Sequence, residues 1–124
     1  MPSQSVLIAD DEPQVRKIWA SFFEDAEFAV FHANNGDEGV ELLKEQAMDV
    51  VLTDLRMPNS DGTVILDYLA ANPGKTKITY VCSGNVQDTD EILRPYTVHK
   101  VLQKPFRFRE LIREITGLLE TGIS

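Results

Sequence analysis

Apolar residues along the chain alternate between two rhythms. Short, nearly continuous runs occur as SVLIA (5–9), AVFHA (29–33), DVVLT (49–53), KITYVC (77–82) and HKVLQ (99–103). The first, third and fourth carry little polar interruption, as strands buried on both faces should. Between the runs the apolar spacing widens to three and four residues. Val15, Ile18, Phe22 and Phe23 form one such stripe, and Phe108, Leu111, Ile112, Ile115, Leu118 and Leu119 another, as on one face of a helix. Trp19 flanks the first stripe and is expected at the edge of the core rather than facing a partner. Pro13 suits a first helical turn, and Asn35-Gly36 and Asp61-Gly62 mark turns leading into helices. The stretch from Val86 to Val98 contains Pro95 and only a thin apolar pattern, which predicts a short or irregular helix.

Five strand–helix units in succession predict an α/β fold, a doubly wound parallel sheet with helices on both faces. Right-handed crossovers bring the C-terminal ends of all its strands to one edge, where such sheets bind ligands. Four of the five strands deliver a reactive polar group there. The first is followed by Asp10, Asp11 and Glu12, the third by Asp54, the fourth by Ser83 and Gly84, the fifth by Lys104 and Pro105. The second is followed by Asn34-Asn35, with no comparable charge.

Any one of these residues is explained as a turn, a helix cap or a solvated side chain. Together they are harder to dismiss. Carboxylates about 4 Å apart disfavour each other's charge by up to about 4 kcal/mol at an effective dielectric near 20. Capping needs no such crowding, whereas a divalent cation and an ammonium relieve it. Few hard oxygen ligands suit Mg²⁺. Asp54 is then placed to attack phosphorus, with Lys104 offsetting charge on the transferring group, Ser83 donating to one of its oxygens and Gly84 leaving room. The turn after Asp54 is expected to be flexible, with amides facing an anion. His32 and His99 stand apart from the carboxylates and read as structural rather than as zinc ligands.

Bulk composition narrows the class. At 124 residues the chain fits one domain with a single core. Twelve basic against twenty acidic residues give a net charge of −8, which argues against nucleic-acid binding. No apolar stretch approaches a membrane span, and the start lacks signal-peptide character. The single cysteine, Cys82, cannot form an internal disulfide, which fits a reducing cytoplasm. Against the acidic whole, KPFRFRELIRE is locally basic. It reads as a solvated helix face on which Glu110 and Glu114 pair at three and four residues, with a dimer or effector contact as the alternative.

LIADDEP, VVLTDLRMPNSDG, CSG and LQKPF, in that order and spacing, resemble the receiver domain of bacterial two-component response regulators, over essentially the whole chain. The resemblance implies a flavodoxin-like (βα)5 fold with strand order 2-1-3-4-5, and a single receiver domain over residues 1–124 with any output domain absent from this chain. It implies Asp54 as phosphoacceptor. Asp11, Asp54 and the backbone carbonyl of Arg56 would be direct Mg²⁺ ligands, with Asp10 acting largely through water and Mn²⁺ as a substitute ion. Ser83 and Lys104 would contact the phosphoryl group, and Pro105 would follow a cis peptide. The implied donor is a phosphohistidine on a sensor histidine kinase or a histidine phosphotransfer protein, or a small acyl phosphate. The switch would reset by hydrolysis of the aspartyl phosphate, and the reader would be a downstream effector protein or a fused output domain. The chain would catalyse only its own phosphorylation and dephosphorylation. One position departs from the family pattern: three residues before the lysine, where an aromatic is usual, stands Val101. The output face between residues 86 and 110 is therefore expected to differ in detail.

Other classes fit less well. An aspartyl-nucleophile phosphatase would want Asp-x-Asp, whereas Leu55 and Arg56 follow Asp54. A phosphorylation-independent interaction domain of the same fold has no need of the full acidic set with Ser83 and Lys104. A flavin-binding fold mate would need a hydroxyl- or glycine-rich phosphate loop where ADDEP stands.

Overall fold

The computed structural model describes residues 4–84 and 89–121. β1 (Ser5–Ala9), β2 (Ala29–Ala33), β3 (Met48–Asp54), β4 (Thr76–Ser83) and β5 (Lys100–Gln103) form one parallel sheet in the order β2-β1-β3-β4-β5. α1 (Pro13–Asp25), α2 (Gly36–Glu45), α3 (Gly62–Ala71), α4 (Asp90–Leu93) and α5 (Phe108–Glu120) connect or follow the strands, with a single 3-10 turn at Pro73–Lys75. This is the doubly wound order that the motifs imply.

Burial follows the apolar runs. β1 is buried throughout and β3 nearly so, whereas the edge strands β2 and β5 are mostly half-exposed. Alternate side chains then supply the two faces. Val6, Ile8, Val50, Leu52, Ile78 and Tyr80 pack beneath α1 and α5. Leu7, Ala9 and Val51 pack beneath α2 and α3. A smaller cluster of Leu55, Leu66, Val81 and Leu93 lies under α4, with Tyr96, Val98 and Val101 against it.

Local chemistry sets the helix starts. Asn35 accepts a hydrogen bond from the Glu38 amide (2.9 Å) and Asp61 one from the Thr63 amide (2.9 Å), capping α2 and α3. Pro13 opens α1.

Two expectations change and a third holds. The buried stripe of α1 is Trp19, Ala20 and Phe23, while Ile18 is 58 % exposed. Trp19 belongs to the core because Phe106 and Phe108 fold over it, with ring centroids at 5.5 and 5.4 Å. Glu114 does not pair along α5. It accepts hydrogen bonds from Tyr80 (2.6 Å) and Lys100 (2.7 Å), fastening α5 to β4 and β5. Along α5 the pair that forms is Arg107 with Glu110, at 3.6 Å. The irregular stretch is irregular: α4 is one turn, and His99 bonds through its amide to the Thr79 carbonyl without joining β5. Residues 85–88 of that stretch lie outside the described residues.

Candidate functional site

Asp54 is the last residue of β3, opposite Cys82 in register. The backbone behind it is closely packed. A Cβ at Gly62 would run into the Asp54 carbonyl oxygen and lie 3.2 Å from Leu55 Cα, so only glycine fits there. The connecting turn is anchored to its neighbours by hydrogen bonds. Leu55 N–H donates to Cys82 O (3.0 Å) and Gly62 N–H to Leu55 O (2.9 Å). Ser60 links the turn to α2: its carbonyl accepts from Gly36 N–H (2.8 Å) and its hydroxyl oxygen from Asp37 N–H (2.8 Å). Asn59 takes a left-handed φ of 72°, a conformation asparagine tolerates.

The groups brought together are the predicted ones. Carboxylate oxygens of Asp10, Asp11 and Asp54 all lie within 4.8 Å of one another. Asp10 is fully buried, and its Oδ1 accepts from the Glu12 amide at 2.8 Å. Asp11 is partly open to solvent. Lys104 Nζ stands 2.8 Å from the Asp54 carboxylate and 3.4 Å from Asp10 Oδ2. It also lies 5.4 Å from the Trp19 ring centre, within cation–π range. The Lys104-Pro105 peptide is cis, as the resemblance implies. Lys104 N–H donates to the Ser83 carbonyl at 2.9 Å, which holds the fourth and fifth strand ends side by side. Ser83 is buried, whereas a Cβ at Gly84 would meet nothing within 4 Å, so the space beside Gly84 is open. Arg56 lies in the turn just past Asp54, with its side chain exposed.

The electrostatics follow from crowding. Burial pushes the Asp54 carboxyl up to about 6; the Lys104 hydrogen bond opposes this and the Asp10 charge reinforces it. Burial on its own would lower the Lys104 pKa, but Asp54 and then Asp10 outweigh it, so the ammonium is held above its ordinary value. Burial also raises the Cys82 thiol, helped by the Asp54 charge, leaving it a neutral core residue. The cup has more acid than one ammonium balances. An all-oxygen donor set of this size fits a hard divalent cation such as Mg²⁺. His32 and His99 stay outside it. His32 is exposed on β2, and His99 packs edge-on against Tyr80 at 5.4 Å.

Two contributors escaped the sequence reading. Trp19 forms the wall behind Lys104. Arg16 donates from one nitrogen to the Asp10 carbonyl (2.5 Å) and to Asn34 Oδ1 (2.7 Å), so the second strand end does take part, through its neighbours. A signal existed: Arg16 shares a helical face with Ala20 and Phe23, four and seven residues on, and a charge on a buried face needs partners.

The family model of the response regulator receiver domain matches residues 6–116. A probable C4-dicarboxylate response regulator, DctR of Priestia megaterium, is 33% identical over 109 residues, covering 86% of this chain and 48% of that protein. The receiver protein CpdR of Brucella abortus is 29% identical, covering 92% of this chain and 95% of its own. The chain thus spans about half the length of the first relative and nearly all of the second. In fold it superposes with TM-score 0.82 on the receiver domain of a sensor histidine kinase from Pseudomonas aeruginosa, at 22% identity, covering 94% and 97% of the two chains. That structure holds magnesium in its active-site cleft, and it offers no support for Mn²⁺. The chain belongs to the response regulator receiver domain family.

Proposed function

We propose that the chain is a phosphorylation-dependent switch that accepts a phosphoryl group on Asp54 in the presence of Mg²⁺. The juxtaposition of Asp10, Asp11 and Asp54 within 4.8 Å, with Lys104 at 2.8 Å from Asp54, carries this reading. Asp11, Asp54 and the Arg56 carbonyl would hold the ion directly and Asp10 through water. When bound, the ion lowers the Asp54 pKa and offsets charge on the transferring group.

An Asp54 oxygen attacks phosphorus, forming an acyl-phosphate P–O bond. The bond from phosphorus to a histidine nitrogen, or to the oxygen of a small acyl phosphate, breaks with its electron pair leaving on the donor. Lys104 exchanges its Asp54 partner for a phosphoryl oxygen, and Ser83 donates to another. The added charge of about −1.5 to −2, gripped by a hydrogen bond contributing about 1.5–3 kcal/mol, shifts a two-state segment roughly 10- to 150-fold. Residues 86–110 are that segment. Hydrolysis of the acyl phosphate resets it. A sensor histidine kinase or a histidine phosphotransfer protein supplies the phosphoryl group, and an effector protein or fused output domain reads it.

The test is intact mass after incubation with Mg²⁺ and acetyl phosphate. One added phosphoryl group on wild type, absent when Mg²⁺ is chelated beforehand and absent from Asp54→Asn, supports the reading. An unmodified wild type, or modification that persists in the variant, overturns it. Ser83→Ala should still gain mass while showing smaller amide shifts.

A further inference from the structure

We propose that Arg16 is a positioning residue for the acidic cup, fixing the Asp10–Asp11 peptide and thereby setting how tightly the three carboxylates hold a divalent cation. The proposal rests on reading the cup as a Mg²⁺ site.

Asp10 is held from both ends of its backbone. Its N–H donates to Ala33 O on β2 at 3.1 Å, and its carbonyl accepts from Arg16. That carbonyl belongs to the peptide leading into Asp11, the more exposed carboxylate of the three, so rotation of this one plane would swing both acids. Arg16 can reach it because helical side chains lean toward the helix N-terminus, here toward the end of β1.

The guanidinium is itself held. Asn34, its second acceptor, is clamped by Glu38, whose Oε1 accepts from Asn34 N–H (2.9 Å) and from Nδ2 (3.1 Å). Glu38 in turn donates its amide to Asn35 in the α2 cap. A chain of hydrogen bonds thus runs from α2 through the β2 end and α1 to the β1 end. Arg16 Nε is buried and meets no acceptor among the described residues. A solvated surface arginine would keep that N–H in water, so this side chain has given up hydration to make specific contacts.

Arg16 also brings a positive charge near the cup, and charge alone would oppose a second cation. Its two effects therefore have opposite signs. Removing the side chain tightens Mg²⁺ binding if only its charge matters and weakens it if it positions the ligands. Loss of a hydrogen bond that supports a metal ligand typically costs about 10- to 100-fold in affinity.

Trp19, the single tryptophan and a neighbour of Lys104, reports binding by fluorescence in unphosphorylated protein. Mg²⁺ titrations of Arg16→Ala, Arg16→Lys and Asn34→Ala are compared with wild type. Arg16→Ala should bind at least about tenfold more weakly, and Arg16→Lys should recover part of the loss. Asn34→Ala, which leaves the charge untouched, should weaken binding in the same direction, and the Arg16→Ala/Asn34→Ala double variant should be no worse than Arg16→Ala. Metal-free amide shifts of Asp10 to Glu12 should already move in Arg16→Ala. Unchanged or tighter Mg²⁺ binding in Arg16→Ala overturns the proposal. If that variant does not fold, unchanged binding in both Arg16→Lys and Asn34→Ala overturns it equally. A wild type that shows no Mg²⁺ response, by fluorescence or by amide shifts, instead sinks the reading of the cup as a metal site.

Discussion

The regions beneath α1 and α5 and beneath α4 are built differently. On the α1/α5 face, Trp19, Phe23, Phe106 and Phe108 interlock, and Phe22 stacks on Phe108 at 5.1 Å. Across the sheet, α4 is a single turn whose Leu93 is buried with Leu55, Leu66 and Val81. Beside it, between α3 and the Pro95–His99 segment, lies a cavity of about 570 Å³ lined by Leu66, Leu69, Ile78, Thr79 and Tyr96. Tyr96 ties this segment to α3 through one exposed hydrogen bond, to Asp67 at 2.5 Å. The aromatic face backs Lys104 through Trp19; the α4 side offers a single helical turn beside a cavity. Leu55 and Val81 belong to the α4 cluster and stand beside Asp54 and two residues before Ser83, so this cluster adjoins the ends of β3 and β4.

Truncation should expose the contrast most strongly. Phe23→Ala should cost about 3–5 kcal/mol, because its rigid aromatic neighbours cannot collapse into the space, while Leu93→Ala, in a helix of one turn, should cost about 2 kcal/mol. Urea unfolding measures both, and equal losses would break the distinction between the faces. Native-state hydrogen exchange offers a parallel check: amides of Asp90–Leu93 should open well before those of Leu111–Ile115.

Gly62→Ala tests the reaction end of the molecule. The new methyl meets backbone rather than a movable side chain, so a loss of about 1–3 kcal/mol is expected, together with slower phosphate gain on Asp54. Undiminished stability would show that the turn can give.

Two effects depend on pH. With Asp54 raised to about 6 in the metal-free protein, protons compete with the ion, and Mg²⁺ affinity read from Trp19 fluorescence should fall as pH drops through that value. A flat profile between pH 5 and 7 would contradict this. On α5, the Lys100 hydrogen bond, followed by that of Tyr80, holds Glu114 below its ordinary pKa. The folded carboxylate is thus the favoured form. Its stabilisation is fully present above the ordinary carboxylate range and disappears as pH falls through the lowered value. The stability gap between wild type and Lys100→Ala should therefore close in acid.

The smallest effect lies at the turn leaving α1. Glu27 sits at φ 68°, a conformation costly for residues with a Cβ. Glu27→Gly should recover about 0.5–1 kcal/mol, part of the relief being offset by the greater freedom of unfolded glycine. A loss instead would mean that the Glu27 side chain contributes contacts worth more than the strain.

By itself the sequence determined the sheet, because buried parallel strands must be continuously apolar and their helices must repeat every three to four residues. It also pointed to the polar groups at one edge: Asp10, Asp11, Asp54, Ser83 and Lys104 each follow or end an apolar run, and a parallel sheet puts every such end on the same edge. Tertiary structure alone decided what lies behind those groups. That Trp19 rather than Ile18 turns inward depends on Phe106 and Phe108, which are more than eighty positions away. Glu114 answers to Tyr80 and Lys100 rather than to its own helix, since an anchored hydroxyl and an ammonium from the sheet reach it. Arg16 reaches the Asp10 carbonyl only once α1 packs on the sheet. Periodicity reports which face of an element is buried; the partners met there are set by how separate elements dock.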